Sequence, residues 1–150
     1  MKRSLLYLLI LAAVLVVPIA RTDVGDLRPV QTVAIYRSGQ DYIIQTDTGD
    51  AGRGETAIAA LENLKQTTPA VIYLDTAQFL LVAGDTSESL KQLRTHLKGS
   101  VKLCSFIGEP DLELVSKYLK IHGKGPFLKQ WEQGAQLPVL DCRGKQINFL

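Results

Sequence analysis

Thr46-Asp47-Thr48-Gly49-Asp50-Ala51-Gly52-Arg53-Gly54-Glu55-Thr56 is the stretch on which the reading of this chain turns, because two apolar patterns of different period follow it. Ile58, Leu61 and Leu64 recur at helical spacing to about Gln66, and Pro69 prevents continuation. Residues 70–83 are then apolar almost throughout, divided by Asp75-Thr76-Ala77-Gln78 into Val71-Ile72-Tyr73-Leu74 and Phe79-Leu80-Leu81-Val82. Runs this short and this rich in strand formers predict strands, the second continuous enough to be buried on both faces. A polar glycine-rich loop, a helix and two strands in that order predict the core of an α/β domain.

The loop also invites a test for phosphate binding. Residues 49–56 reproduce the spacing of a P-loop, follow a predicted strand and open a helix. The charge is wrong, however: Glu55 stands where a lysine must neutralise the phosphates, and Asp50 adds a second negative charge. A carboxylate there repels the ligand that backbone amides would attract, so no nucleotide is expected. The glycines then read as a flexible entry to a helix whose first turn is complemented by Glu55.

Outward toward the N-terminus, Thr32-Val33-Ala34-Ile35-Tyr36 and Tyr42-Ile43-Ile44-Gln45-Thr46 are strand candidates joined by a glycine-bearing turn, a hairpin signal. Residues 22–30, with Gly25 and Pro29, read as a linker. Before them Met1-Lys2-Arg3 is followed by an uncharged run at 4–20 that ends at Arg21. Basic residues ahead of the run and Asp23 and Asp26 behind it predict an export segment with its N-terminus inside. Seventeen helical residues span about 25 Å, slightly short of a hydrocarbon core of about 30 Å. Length therefore does not separate an anchor from a signal peptide. A cut after Ala20 places Pro18 where a small residue is wanted, and no cysteine follows to accept a lipid, so an uncleaved anchor is the expectation. The chain is thus expected at the cell membrane as a single-pass protein, N-terminus cytoplasmic and domain extracytoplasmic, or secreted if cleaved near Ala20.

Toward the C-terminus, Gly84-Asp85-Thr86-Ser87 supplies a turn and cap for a helix with Leu90, Leu93 and Leu97 on its buried stripe. A strand at 101–106 follows, then a helix at 111–121 with Leu112, Val115 and Leu119 inward, a short amphipathic piece at 127–133, and two strands around Arg143-Gly144. His96 and His122 both fall near helix C-termini, where a partial positive charge is favoured. The expected architecture is a single α/β (α+β) domain with a mixed sheet and about three helices. It divides as residues 1–21 anchor or signal, 22–30 linker and 31–150 domain.

Composition narrows the function more than the motifs do. A net charge of +2 spread evenly over 150 residues supplies no basic stripe, so nucleic acid is not an expected partner. Cys104 and Cys142, with His96 and His122, show no close zinc-ligand spacing, and no metal or other cofactor is expected. The two cysteines are either small buried hydrophobes on strands or, in an exported chain, a disulfide; redox work lacks its Cys-x-x-Cys geometry. Asp75 lies between two strands with no partner acid, nucleophile or histidine spaced to work with it, so a solvent-facing strand end outweighs catalysis. Trp131 reads as cover for one edge of the core, with a partner contact as the alternative.

Gly54-Glu55-Thr56-Ala57-Ile58-Ala59-Ala60-Leu61, Tyr73-Leu74-Asp75 and the Phe79-Leu80-Leu81-Val82 strand, with Leu137-Pro138 before the final hairpin, resemble the first domain of the Ger(x)C spore-germination proteins over residues 32–150. The resemblance implies a membrane-held third subunit of a nutrient germinant receptor, non-enzymatic, with integral-membrane or sister subunits as partners. The residues alone support a tethered binding or assembly domain; the alternative is a small secreted or tethered enzyme or ligand-binding protein using Asp75 and the Gly49 to Gly54 loop.

Overall fold

The computed structural model describes residues 25, 27–84, 87–144 and 146–150. The apolar run at 4–20, and with it the anchor reading, lies outside them. Among the described residues no helix is long and apolar enough to cross a membrane.

The elements in chain order are β1 (Leu27–Pro29), β2 (Thr32–Ser38), β3 (Asp41–Thr46), β4 (Ala51–Gly54), α1 (Ala57–Thr67), β5 (Val71–Tyr73), β6 (Phe79–Val82), α2 (Ser87–Leu93), β7 (Lys102–Ile107), α3 (Leu112–His122), α4 (Leu128–Glu132), β8 (Val139–Asp141) and β9 (Asn148–Phe149). Seven strands make one sheet in the order β4-β3-β2-β6-β7-β8-β9. Its middle, β2-β6-β7-β8, is parallel, and antiparallel pairs close both margins, so the sheet is mixed as expected.

β6 sits at the centre with all four residues buried. Alternation then sorts the strands between two cores. Val33, Ile35, Leu80, Val82 and Leu103 face α1, α2 and α4, whereas Ala34, Phe79, Leu81, Cys104 and Phe106 face α3. Each fully buried Leu, Ile or Val contributes roughly 1.5–3 kcal/mol on leaving water, which is why the strand needs cover on both sides.

Three local expectations are corrected. The first is the glycine loop: residues 51–54 are an edge strand, not a flexible entry, and Thr56 rather than Glu55 starts the helix by accepting a hydrogen bond from the Ala59 amide. A Cβ on Gly52 would collide with the Ala60 carbonyl and the Leu64 amide, and one on Gly54 with Ala59 and Ala60. The glycines let the α1 backbone lie directly on β4. The second correction follows from the first. Ala57 and Ala60 join Leu61 and Leu64 on the buried face, and Ile58 is turned out at 36% exposure. Small residues must occupy the face that meets a glycine strand. The third concerns the linker, part of which is β1; it pairs in parallel with β5, Leu27 opposite Val71, in a separate two-stranded ladder.

Gly52→Ala is accordingly expected to destabilise the fold by about 1–3 kcal/mol through overpacking, while Ile58→Ser changes stability by less than about 0.5 kcal/mol. Urea unfolding measures both; coincident midpoints would show that β4 does not meet α1 closely.

Candidate functional site

The loop that links β3 to β4 is a polar clasp. The Thr46 amide donates to the Asp50 carbonyl at 2.9 Å, and Thr48 Oγ1 donates to Asp50 Oδ2 at 2.7 Å. Asp50 Oδ2 also pairs with Arg28 Nη1 of β1 at 3.0 Å. Asp47 Oδ1 accepts the Gln31 amide at 3.1 Å and Oδ2 accepts the Ser116 hydroxyl of α3 at 2.9 Å. Asp47 and Asp50 are thus committed to joining β1, the turn before β2 and α3. The adjoining cleft of about 370 Å³ is lined by Asp47, Asp111 and Glu113 among others. Three carboxylates around one opening repel a phosphate.

Asp75 is exposed in the short turn Leu74–Thr76, and it lines none of the clefts described in this section. The last glycines of the Gly49 to Gly54 segment lie under α1. Trp131 is partly buried against the α1–α2 core, in keeping with the edge-covering reading. His96 ends an exposed turn, and His122 stacks on Tyr118 with ring centroids 4.8 Å apart. Among the described residues no three His, Cys, Asp or Glu side chains are placed to hold a metal ion.

Cys104 and Cys142 are free, buried thiols, so the disulfide alternative is not met. The cause is register. β7 and β8 run parallel with Ile107 opposite Asp141, which sets Cys142 level with Gly108, four residues beyond Cys104. That offset is roughly 13 Å along the strands, whereas a disulfide needs Cα atoms within about 7 Å. Burial, eased slightly by Lys102, pushes the Cys104 thiol up to about 12, and its Sγ donates to the Lys124 carbonyl at 2.9 Å. Burial also raises Cys142. Neither presents a thiolate, so both are expected to resist iodoacetamide in the folded chain and to react at once in urea; rapid labelling of either without denaturant would contradict this placement.

A cleft of about 580 Å³ opens at the carboxyl ends of β2, β6 and β7, the usual ligand position of open α/β sheets. Its lining brings together Tyr36, Arg37, Gln45, Phe106 and Glu109, with neither histidine nor cysteine. Arg37 lies over the Tyr42 ring at 5.2 Å. No nucleophile–base pair converges there, so the arrangement offers polar binding without a proton relay.

The most distinctive surface is the outer side of α3. Leu112, Val115 and Leu119 point to the sheet, but Leu114, Tyr118 and Ile121 form a second apolar stripe at i, i+4 and i+7 on the far side. Leu114 is 46% and Ile121 79% exposed. With Ile147 beyond β8, this stripe lines an open apolar cleft of about 280 Å³, and Phe149 packs against Tyr118 at 5.9 Å. Only the inner stripe is read from the sequence above, although Leu114, Tyr118 and Ile121 carry helical spacing as well.

Between β8 and β9, Arg143 Nη2 grips Asp141 Oδ2 at 2.8 Å while its amide donates to Oδ1 at 3.0 Å. The side-chain hydrogen bond from Arg143, then the amide, hold the Asp141 carboxyl at about 2. A depressed folded-state value means the pairing contributes above the ordinary carboxylate range and is lost as pH falls from about 4 toward 2. Arg143→Ala, which removes the side-chain hydrogen bond but keeps the amide, is expected to raise Asp141 part of the way toward the ordinary range in an NMR titration; an unmoved midpoint would assign the shift elsewhere. Compared with protein-family models, with curated proteins and with solved structures, the chain matches none of them.

Proposed function

We propose that the chain is a non-enzymatic, membrane-tethered extracytoplasmic binding or assembly domain that docks on an integral-membrane protein or on sister subunits. The observation that carries this reading is the second apolar stripe of α3. A helix that has already buried one stripe against its own sheet gains nothing from Leu114 and Ile121 in water, whereas a partner that covers them removes that apolar surface. The export-type segment at 1–20 supports the tether, and the resemblance to the first domain of Ger(x)C proteins supports a subunit role in spore germination. The alternative that joins Asp75 to the Gly49 to Gly54 segment has less support, since Asp75 lines neither the cleft beside that segment nor the cleft at the strand ends.

Mild-detergent purification of the full chain from its native membranes after brief crosslinking tests the reading. A specific multi-pass protein is expected to accompany the wild type. It is expected to be lost both from a chain lacking residues 1–20 and from the exposed-site variant Leu114→Glu/Ile121→Glu. Recovery of the wild-type chain alone, or of the same protein with the α3 variant, would overturn the assignment.

A further inference from the structure

The parallel strands β2, β6, β7 and β8 all begin at one end of the sheet, and that end differs chemically from the other. The β1–β5 ladder and the turns before β6 and β7 gather there by connectivity. So does the segment after α3, because Phe127 bridges to Lys102 at the start of β7. Gly125 permits that passage: its φ is +142°, and a Cβ would collide with the Leu103 carbonyl.

Val71, Tyr73 and Phe127 are exposed at this end, at 47%, 39% and 41%. Around them stand Lys98, Lys102, Lys120 and Lys124, none in an ion pair among the described residues. Lys102 and Lys124 instead lie about 6 Å from the Phe79 and Phe149 rings, at 5.9 and 6.0 Å. Of the nearby carboxylates, Asp50 is taken by Arg28 and Asp47 by Gln31 and Ser116; Asp75 is exposed, which leaves the lysines in excess. The opposite end, where the parallel strands finish, mixes Glu55, Glu88, Glu109, Asp111 and Asp141 with Arg37, Arg53, Lys91 and Arg143, and three of those cations are paired with carboxylates there.

We propose that the strand-start end of the domain seats on an anionic phospholipid surface, its lysines among the headgroups and Val71, Tyr73 and Phe127 at the interface. The proposal rests on the tethered reading above. What selects lipid over an acidic protein is the chain path. Residues 21–26 separate the apolar run from β1, and six extended residues reach at most about 20 Å. A tether that short holds this end, and not the opposite one, against the bilayer. The unpaired lysines then orient the domain, because an anionic leaflet attracts a cluster of them within about a Debye length, whereas three of the cations at the opposite end are already paired with carboxylates. Tyrosine and phenylalanine beside lysine is the composition of a membrane interface.

The test uses the full chain reconstituted in vesicles of mixed phosphatidylglycerol and phosphatidylcholine, or of phosphatidylcholine alone. A fluorophore is placed on Ser100→Cys at the basic end or on Gln40→Cys at the β2–β3 turn of the other end; both positions are exposed, and the native thiols are buried. Headgroup-spin-labelled lipid is expected to quench the Ser100 label strongly in the anionic vesicles, and weakly in zwitterionic ones or at high salt. The Gln40 label is expected to stay bright throughout, and Lys98→Glu/Lys124→Glu to relieve quenching at Ser100. Equal quenching at both positions, or none at Ser100, overturns the proposal while leaving the tether intact. Shielding of the Ser100 label only when a membrane protein is co-reconstituted overturns it in favour of a protein surface. Release of the chain by alkaline carbonate would instead defeat the tethered reading, and quenching at Ser100 before that wash would still uphold the lipid contact.

Discussion

Burial of β6 on both faces is the constraint from which the rest of this fold follows. Phe79, Leu80, Leu81 and Val82 all lie at 6% exposure or less, so neither side of the central strand can face water. Cover must come from both sides, and the chain divides it unevenly. Among the described residues, α1, α2 and α4 share one face, while α3 is the helix on the other. The outer side of α3 leaves Leu114 and Ile121 exposed, with Tyr118 between them packing partly against the core.

The margins of the sheet depend on two different devices. At one margin the contact is made by absence of side chain: Gly52 and Gly54 allow α1 to approach β4 at backbone distance, with Ala57 and Ala60 opposite. Larger residues on either element would lift the helix and open the core beneath Leu61 and Leu64. The Asn63 carboxamide, which accepts the Arg53 amide at 3.0 Å, also occupies part of that open edge. The second device is the clasp at 46–50. Asp47 and Asp50 accept hydrogen bonds from β1, from the turn before β2 and from α3, so the clasp fastens β1 and α3 to the sheet.

These features bear on function through what they leave free. The cleft at the strand ends, as far as the described residues show, pairs no nucleophile with a base, and the cysteines are held apart and shielded by burial and register. What remains prominent is surface: an apolar stripe on α3 and a basic, partly apolar end where the parallel strands begin. The two lie near each other because α3 runs back toward the strand starts, its Gly123 resting against Phe79.

Most element identities were legible in the chain itself, because they depend on neighbours a few residues apart. The alternation of 32–36 and 42–46, the continuous run at 79–82 and the apolar stripes that mark α1 to α3 are local signals, and these elements stand near where those signals put them. What tertiary structure alone decided is every matter of pairing. Ala51–Gly54 carries little strand propensity and is a strand because β3 and α1 enclose it. Ile58 yields the buried face to alanine because glycines lie across from it, and Leu27–Pro29 pairs with β5 although it has the composition of a linker. Cys104 and Cys142 stay apart because parallel register offsets them. Periodicity records which face of a segment prefers to leave water. Which other segment it meets, how closely and at what offset, depends on residues far away in the chain, and so it is settled only when the sheet assembles.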